Sequence, residues 1–265
     1  VHTNALPAGK IARGSADTLR TYTTADALRF TQRYYRPENT VFFVYGDVDF
    51  KSVVRQLKRA TSAFPAAQPL IDVTPFITLP PYQPRHIVHD KGTHQAHVMV
   101  GNRAYSAHDN HRLPLYLLNN ILGGPGMNAR LNISLRERNA LVYTVESSMV
   151  SYSDTGLWCT YFGCDPKDVK KCLRLVRREL DRVMDRPLSE SQLKAAKRQI
   201  KGQIGVACDN RESFALDFGK AFLHYGWLKD VEKLMADIDN VTAREIQQAA
   251  LDIFDPDRMT TLIYE

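Results

Sequence analysis

Cysteine is sparse in this chain, with four in 265 residues. That is too few for a disulfide-built scaffold, and no two of them stand as C-x-x-C. Cys159 and Cys164 differ in parity on or beside a predicted strand, and Cys172 and Cys208 fall on predicted helices, so four free thiols are expected. Long apolar runs are missing too. No stretch approaches the roughly 18 apolar residues of a membrane-spanning helix, so no membrane segment is expected. G-x-G-x-x-G and G-x-x-x-x-G-K-[ST] are absent, which leaves a nucleotide site without a motif. Neither H-E-x-x-H nor H-x-x-E-H occurs, which argues against a complete zinc site in these residues.

The chain is 44% hydrophobic and 24% charged, the profile of a globular protein with a packed core. Its 35 basic and 29 acidic residues give a net charge of +6. The excess is modest and interspersed with acids, and no nucleic-acid motif accompanies it, so no nucleic-acid partner is expected.

Read for periodicity, residues 24–35 form a helix with Thr24 as its N-cap. Arg36-Pro37-Glu38-Asn39 stops it, and TVFFVYGDV (40–48) reads as a strand. Asp49 caps a second helix running to about Ala63. Six of the 13 prolines then fall between Phe64 and Pro84. Such density forbids a helix and favours a stiff, extended connection. Beyond it, RHIVHD and HQAHVMV flank an Asp90-Lys91-Gly92-Thr93 turn and predict a hairpin. An amphipathic helix follows at 110–122, with Leu113, Leu117 and Ile121 at four-residue spacing. Gly123-Gly124-Pro125-Gly126 breaks it before another helix at about 128–138. Strands are expected near 142–151 and 155–163. Helices are expected near 167–185, 190–207, 212–225, 229–238 and 242–253, and a last strand, MTTLIYE, closes the chain.

A repeat organises this order. Thr24-Ala25 matches Thr242-Ala243, and Leu28 matches Ile246. With one extra residue, Tyr35-Arg36-Pro37-Glu38 matches Phe254-Asp255-Pro256-Asp257, and Phe43-Val44-Tyr45 matches Leu262-Ile263-Tyr264. Each copy is a helix, an aromatic residue, x-Pro-acid and a strand. If the second copy begins at about Arg85, well over a hundred residues of the first are expected upstream of Val1. The division that follows is 1–63 as the end of a first domain, 64–84 as linker, and 85–265 as a whole second domain.

Eight histidines prompt a search for a metal site. In the predicted hairpin His89 lies opposite His94, and His86 opposite His97. Side chains alternate faces along a strand, so the two pairs point apart and cannot converge on one ion. Gly123 to Gly126 before a helix is explained by a helix–loop–helix corner, and flexible backbone beside a bound peptide stays open. The next helix carries Arg130, Arg136 and Arg138, and Tyr143 opens the following strand. On composition alone these arginines are a solvated basic face. Functionally, an Arg and a Tyr delivered by one corner both donate hydrogen bonds to a developing oxyanion.

The run LGGPGMNARLNISLRERNALVYTVES (122–147), followed by SDTGL (153–157), closely resembles the insulinase/pitrilysin-type zinc metallopeptidases, with the bacterial processing-peptidase-like branch nearest. TTADAL and YYRPENTVFFVYGDV resemble the end of that family's first homologous domain. The resemblance implies an α/β (α+β) fold of duplicated domains, each a mainly antiparallel sheet packed with helices, whose halves enclose an unfolded peptide. It implies zinc in the complete protein, held by an upstream domain through an H-x-x-E-H helix, and no metal ligand within this segment. Arg136 and Tyr143, seven residues apart, match the family's substrate-carbonyl and transition-state pair. Gly123, Gly124 and Gly126, with Arg130, are the expected substrate-binding residues. Ala140 departs from the glycine usual before Leu-x-Tyr.

Two functional readings follow, and a third has no motif. The first is the C-terminal region of a zinc endopeptidase, inactive as an isolated segment and working as a single chain, homodimer or heterodimer. The second is a non-catalytic partner subunit, and the third is a basic nucleic-acid-binding module.

Overall fold

Helix ends chosen by capping chemistry and strands chosen by alternation set the elements of the computed structural model, which describes residues 15–64, 81–228 and 230–265. Three helices come first: α1 (Ala16–Thr21), α2 (Thr24–Tyr34) and α3 (Phe50–Ala60). Strands β1 (His86–His89) and β2 (Ala96–Ala104) precede α4 (Arg112–Gly123). Strands β3 (Val142–Ser151) and β4 (Gly156–Cys164) lead to α5 (Val169–Asp185) and α6 (Glu190–Asp209). The chain closes with α7 (Arg211–Tyr225), α8 (Val231–Asn240), α9 (Ala243–Ile253) and β5 (Thr260–Tyr264). Among the described residues no helix is long and apolar enough to cross a membrane. Most of the proline-rich connection lies outside the described residues.

The described chain divides into two compact units, residues 81–205 with 230–265 and residues 15–64 with 206–228. The larger unit is an α+β arrangement around a mixed, mostly antiparallel five-stranded sheet in the order β1-β5-β2-β4-β3. β5 runs parallel to β1 and antiparallel to β2. The predicted β1–β2 hairpin therefore does not form: the C-terminal strand inserts between the two segments. Lys91 N–H donates to the Glu265 carbonyl instead of closing a local turn. In the observed register His89 and His97 both pair with Tyr264 from opposite sides, which puts them on one face of the sheet. The predicted opposition of His89 with His94 and of His86 with His97 is replaced by this arrangement.

One sheet face is the core. Val98, Trp158, Phe162, Val145 and Ile263 lie buried there with Leu115, Leu118 and Leu122 of α4 and Ile246 and Ala250 of α9. Each fully buried Leu or Phe of this set contributes about 1.5–3 kcal/mol relative to exposure. Trp158 packs on Phe254, ring centroids 4.5 Å apart, and both are fully buried. Buried Asn102 donates from Nδ2 to the Ile253 carbonyl at the end of α9 (2.8 Å). Arg177 of α5 donates to the Phe254 carbonyl (2.6 Å) and to Asp181 (2.8 Å), holding the same helix end. All four cysteines are free. Burial pushes the Cys172 thiol up to about 12, so it stays protonated at neutral pH.

In the smaller unit no residue of α1, α2, α3 or α7 is buried. Residues 40–48, predicted as a strand, are not part of a ladder. A β-strand needs a neighbouring strand for its backbone groups, and none of the described residues provides one. This stretch is instead held by ring contacts from α7: Phe43 stacks on Phe218 at 4.7 Å, and Tyr45 lies 5.5 Å from Phe214.

The repeat is clearer in the structure than in the sequence. The N-cap of α2 is Thr23 rather than Thr24, and it forms a capping box with Asp26. The N-cap of α9 is Thr242, boxed with Glu245. Both helices span 11 residues, end at an aromatic cap (Tyr35, Phe254) and run into a short 3-10 turn led by Pro37 or Pro256. Every pair stands at one offset, as 242 − 23 and 254 − 35 both equal 219. The extra residue needed by the sequence match disappears.

Candidate functional site

Arg136 and Tyr143 meet at a corner that the chain builds from a wide helical turn, a strained residue and a bulge. Asn132–Glu137 is a π-helix, with Arg138 N–H donating to the Ile133 carbonyl five residues back (3.0 Å). Such turns are rare and concentrate at functional sites. The predicted helix at 128–138 is thus largely π-helical. Ala140 N–H donates to the Arg136 carbonyl (2.8 Å), and Leu141 N–H to the Leu135 carbonyl (3.0 Å). Asn139 Nδ2 closes the turn on the Ser134 carbonyl (2.8 Å). Ala140 has φ 49°, the one positive-φ non-glycine among the described residues. The turn demands a left-handed residue and receives an alanine.

β3 starts with a bulge. Val142 pairs with Cys164 and Val145 with Phe162, so three steps on β3 match two on β4. A bulge re-aims side chains. Here Val142 and Val145 stay in the core, while Tyr143 between them is turned out and 88% exposed. Counted back from Val145 along an unbroken strand, Tyr143 two residues earlier would fall on the core face, and the extra residue of the bulge removes that conflict.

The glycine-rich turn supplies the facing wall. α4 ends on Gly123, which lies so close to β3 that an added Cβ would sit 2.5 Å from the Ser147 backbone nitrogen. Ser147 Oγ in turn donates to the Asn119 carbonyl (3.1 Å), and Trp158 Nε1 to Asn119 Oδ1 (3.0 Å). Asn132 Nδ2 ties the π-helix to the turn through the Met127 carbonyl (2.8 Å). Asn128 Nδ2 ties it to Gln199 on α6 (2.9 Å).

Together these walls enclose a cleft of about 450 Å³. Its lining includes Gly123, Gly124, Gly126, Arg136 and Tyr143, so five of the six residues singled out in the sequence share one space. Arg130 is the sixth and is not part of that lining. It is half-buried, where loss of solvent lowers its pKa and the Glu179 carboxylate opposes the drop. Glu179 is itself buried and paired with Arg182 at 2.7 Å. The Arg136 side chain is 48% exposed, with its Nε 3.9 Å from a Glu137 carboxylate oxygen. A guanidinium and a phenol facing one cleft form a donor pair suited to a carbonyl oxygen or a developing oxyanion.

Sequence reasoning missed Asn119, Asn120, Glu146, Ser147 and Gln203, which also line the cleft. Glu146 and Ser147 fall inside the most distinctive run of the sequence. Strand alternation from Val145 would have put Glu146 on the face opposite the core. Gln203 comes from a helix some sixty residues away, and no local signal points to it.

Among known proteins, residues 21–200 match the family model described as the Peptidase M16 inactive domain. The chain belongs to that family, the insulinase-type peptidases. It is 32% identical over 255 residues to an uncharacterized zinc protease of Streptomyces coelicolor, an alignment covering 94% of this chain and 55% of that protein. The chain thus spans about half the length of this relative. Two solved structures share the fold. A peptidase M16 inactive domain from Pseudomonas fluorescens superposes with TM-score 0.83 at 19% identity, covering 99% of this chain and 62% of the other. A chain of complex III2 from Candida albicans superposes with TM-score 0.80 at 17% identity, covering 97% and 62%.

Proposed function

We propose that this chain is the substrate-gripping, C-terminal region of a zinc-dependent endopeptidase acting on unfolded peptides. In this reading residues 85–265 form the second peptidase-like domain and residues 1–63 the end of the first. The observation that carries it is the convergence of Arg136, Tyr143 and the Gly123–Gly126 turn on one cleft. Among the described residues no three His, Cys, Asp or Glu side chains group to hold a metal ion. In this reading the zinc in the relative's name would be held by another part of the complete polypeptide. When bound there, it supplies activation of a water for attack on the peptide carbonyl.

The work of this chain is to place that carbonyl. The Arg136 guanidinium and the Tyr143 hydroxyl donate hydrogen bonds to its oxygen, and they donate more strongly as negative charge develops. Gly123 and Gly124 keep side chains out of the cleft so that an extended backbone can lie against the turn. The cage of backbone bonds around Ala140 fixes the separation of Arg136 and Tyr143, which preorganises the two donors. Arg130 would act on the peptide through the position of the π-helix rather than by lining the cleft. In the complete polypeptide, Tyr143→Phe is expected to lower kcat with little change in KM.

A second reading is a non-catalytic subunit that works beside a metal-bearing chain, as a homo- or heterodimer. The family model's own description as an inactive domain supports it. Zinc content of the natural full-length polypeptide separates the two: about one equivalent, as a mononuclear site requires, supports the peptidase, and none supports the partner.

A further inference from the structure

α5 turns a stripe of apolar side chains to the core, and one position in that stripe is an acid. Leu175, Val176, Leu180 and Val183 are buried around Glu179, which is itself 4% exposed. Among the described residues Glu179 is the one buried charged side chain. Packing does not ask for it. An apolar residue of similar volume would avoid the loss of carboxylate hydration, and such replacements of buried ion pairs often stabilise a fold. A charge kept at that cost is informative through the groups it meets.

Two arginines meet it. Arg182, one turn further along α5, donates from its guanidinium to Glu179 Oε1 (2.7 Å). Arg130, ahead of the π-helix, is half-buried, and the charges of Glu179 and Arg182 act on it in opposite senses. Glu179 is thus the attraction that holds Arg130 beside a second, repelling guanidinium. Arg130 is joined through fully buried Leu131 to Asn132, where the π-helix begins, and α5 packs against that π-helix. A π-helical turn is a rare alternative to the ordinary one, so contacts from outside it decide where its residues point. One of those residues is Arg136, which lines the cleft, whereas Glu179 does not.

We infer that Glu179 is a positioning residue: through Arg130 it fixes the start of the π-helix, and so the direction in which Arg136 enters the cleft. This rests on the peptidase reading above and extends it to a buried residue of α5. The effect falls on catalysis rather than on binding, because Arg136 donates most strongly to charge that develops in the transition state. Misplacing such a group by about 1 Å loses up to about a hundredfold in rate.

Two readouts test it. In the 265-residue chain, NMR of arginine side chains follows the Arg136 Nε–H signal, identified by its loss in Arg136→Lys. Glu179→Gln removes the charge and keeps the shape. It should move the Arg136 signal and leave that of Arg177, which Asp181 holds on another face of α5. In the zinc-loaded full-length polypeptide, Glu179→Gln should lower kcat for an unstructured peptide about tenfold, with KM within about twofold. In an Arg136→Ala background the same change should cost less than about twofold, because the group it positions is gone. General loosening of the fold would instead lower kcat by the same factor in both backgrounds, and that result overturns the inference. So does an Arg136 signal that stays in place, or an unchanged kcat in Glu179→Gln. A moved signal with no turnover by the wild-type polypeptide keeps the link from Glu179 to Arg136 and sinks the peptidase reading. Where Glu179→Gln does not fold, Arg130→Gln carries both readouts from the other end of the pair.

Discussion

Replacing Ala140 by glycine should make the protein more stable, contrary to the usual effect of adding a glycine. Ala140 holds φ 49°, a left-handed conformation that costs an L-residue about 1–2 kcal/mol. Glycine removes that cost and adds about 0.5–1 kcal/mol of backbone entropy to be lost on folding. The net gain is about 0.5–1 kcal/mol. For a unit of this size it raises Tm by about 1–4 °C. The comparison is Ala195→Gly, an exposed position inside α6, where glycine should cost about 1 kcal/mol. Thermal melts of the two variants followed by circular dichroism should therefore shift in opposite directions. A loss in Ala140→Gly as large as that in Ala195→Gly would refute the left-handed turn, and with it the geometry that spaces Arg136 from Tyr143.

Other expectations concern the glycine turn and the two capping boxes. Gly123→Ala places a methyl against the Ser147 backbone nitrogen and should cost about 1–3 kcal/mol, as overpacking does. Gly202→Ala meets open space on α6 and should gain up to about 1 kcal/mol, so chemical denaturation of both tests the close approach. The hydroxyl and backbone N–H of Thr23, with Arg29 beyond them, lower the Asp26 carboxyl from 3.8 to about 2. A depressed carboxylate contributes stability that is complete above its unfolded pKa and is lost as pH falls from about 3.8 through about 2. An NMR titration should find the Asp26 midpoint near the lower value and Thr23→Ala should return it toward the upper one. A midpoint of 3.8 in the folded wild type would contradict the cap. Glu245 is lowered in the same sense by its hydrogen bonds from Thr242, so Thr242→Ala should raise it.

Local chemistry was legible in the sequence and non-local pairing was not. Asp49 caps α3 as expected, with its side chain accepting from Ser52 N–H. The alternation at 142–151 and the run ending at 163 both became strands, because burial on one face writes itself into a period of two. The hairpin failed because a turn between two segments fixes their pairing only if no third strand intervenes. β5 lies more than 150 residues away in sequence and takes the place between them. The strand expected at 40–48 has the right side chains, and hydrogen-bonded pairing depends on a neighbour that its own sequence cannot name. The π-helix left no signature in Asn132–Glu137, since its apolar spacing also fits an ordinary helix. Arg136 and Tyr143 were found through their seven-residue spacing and the motif around them. Gln203 and Asn119 reach the cleft only through tertiary packing.

On the proposed function, the corner at Ala140 brings Arg136 and Tyr143 onto one substrate oxygen. A double-mutant cycle on kcat, run with the complete zinc-loaded polypeptide and an unstructured peptide, tests it most directly. Tyr143→Phe should lower kcat about ten- to a thousandfold, the scale of losing one oxyanion donor. Arg136→Ala should lower it at least as much. Donors to the same charge act as a unit, so the double variant should lose distinctly less than the product of the two single losses. An unchanged kcat in Tyr143→Phe, or fully multiplicative losses in the double variant, would contradict the account.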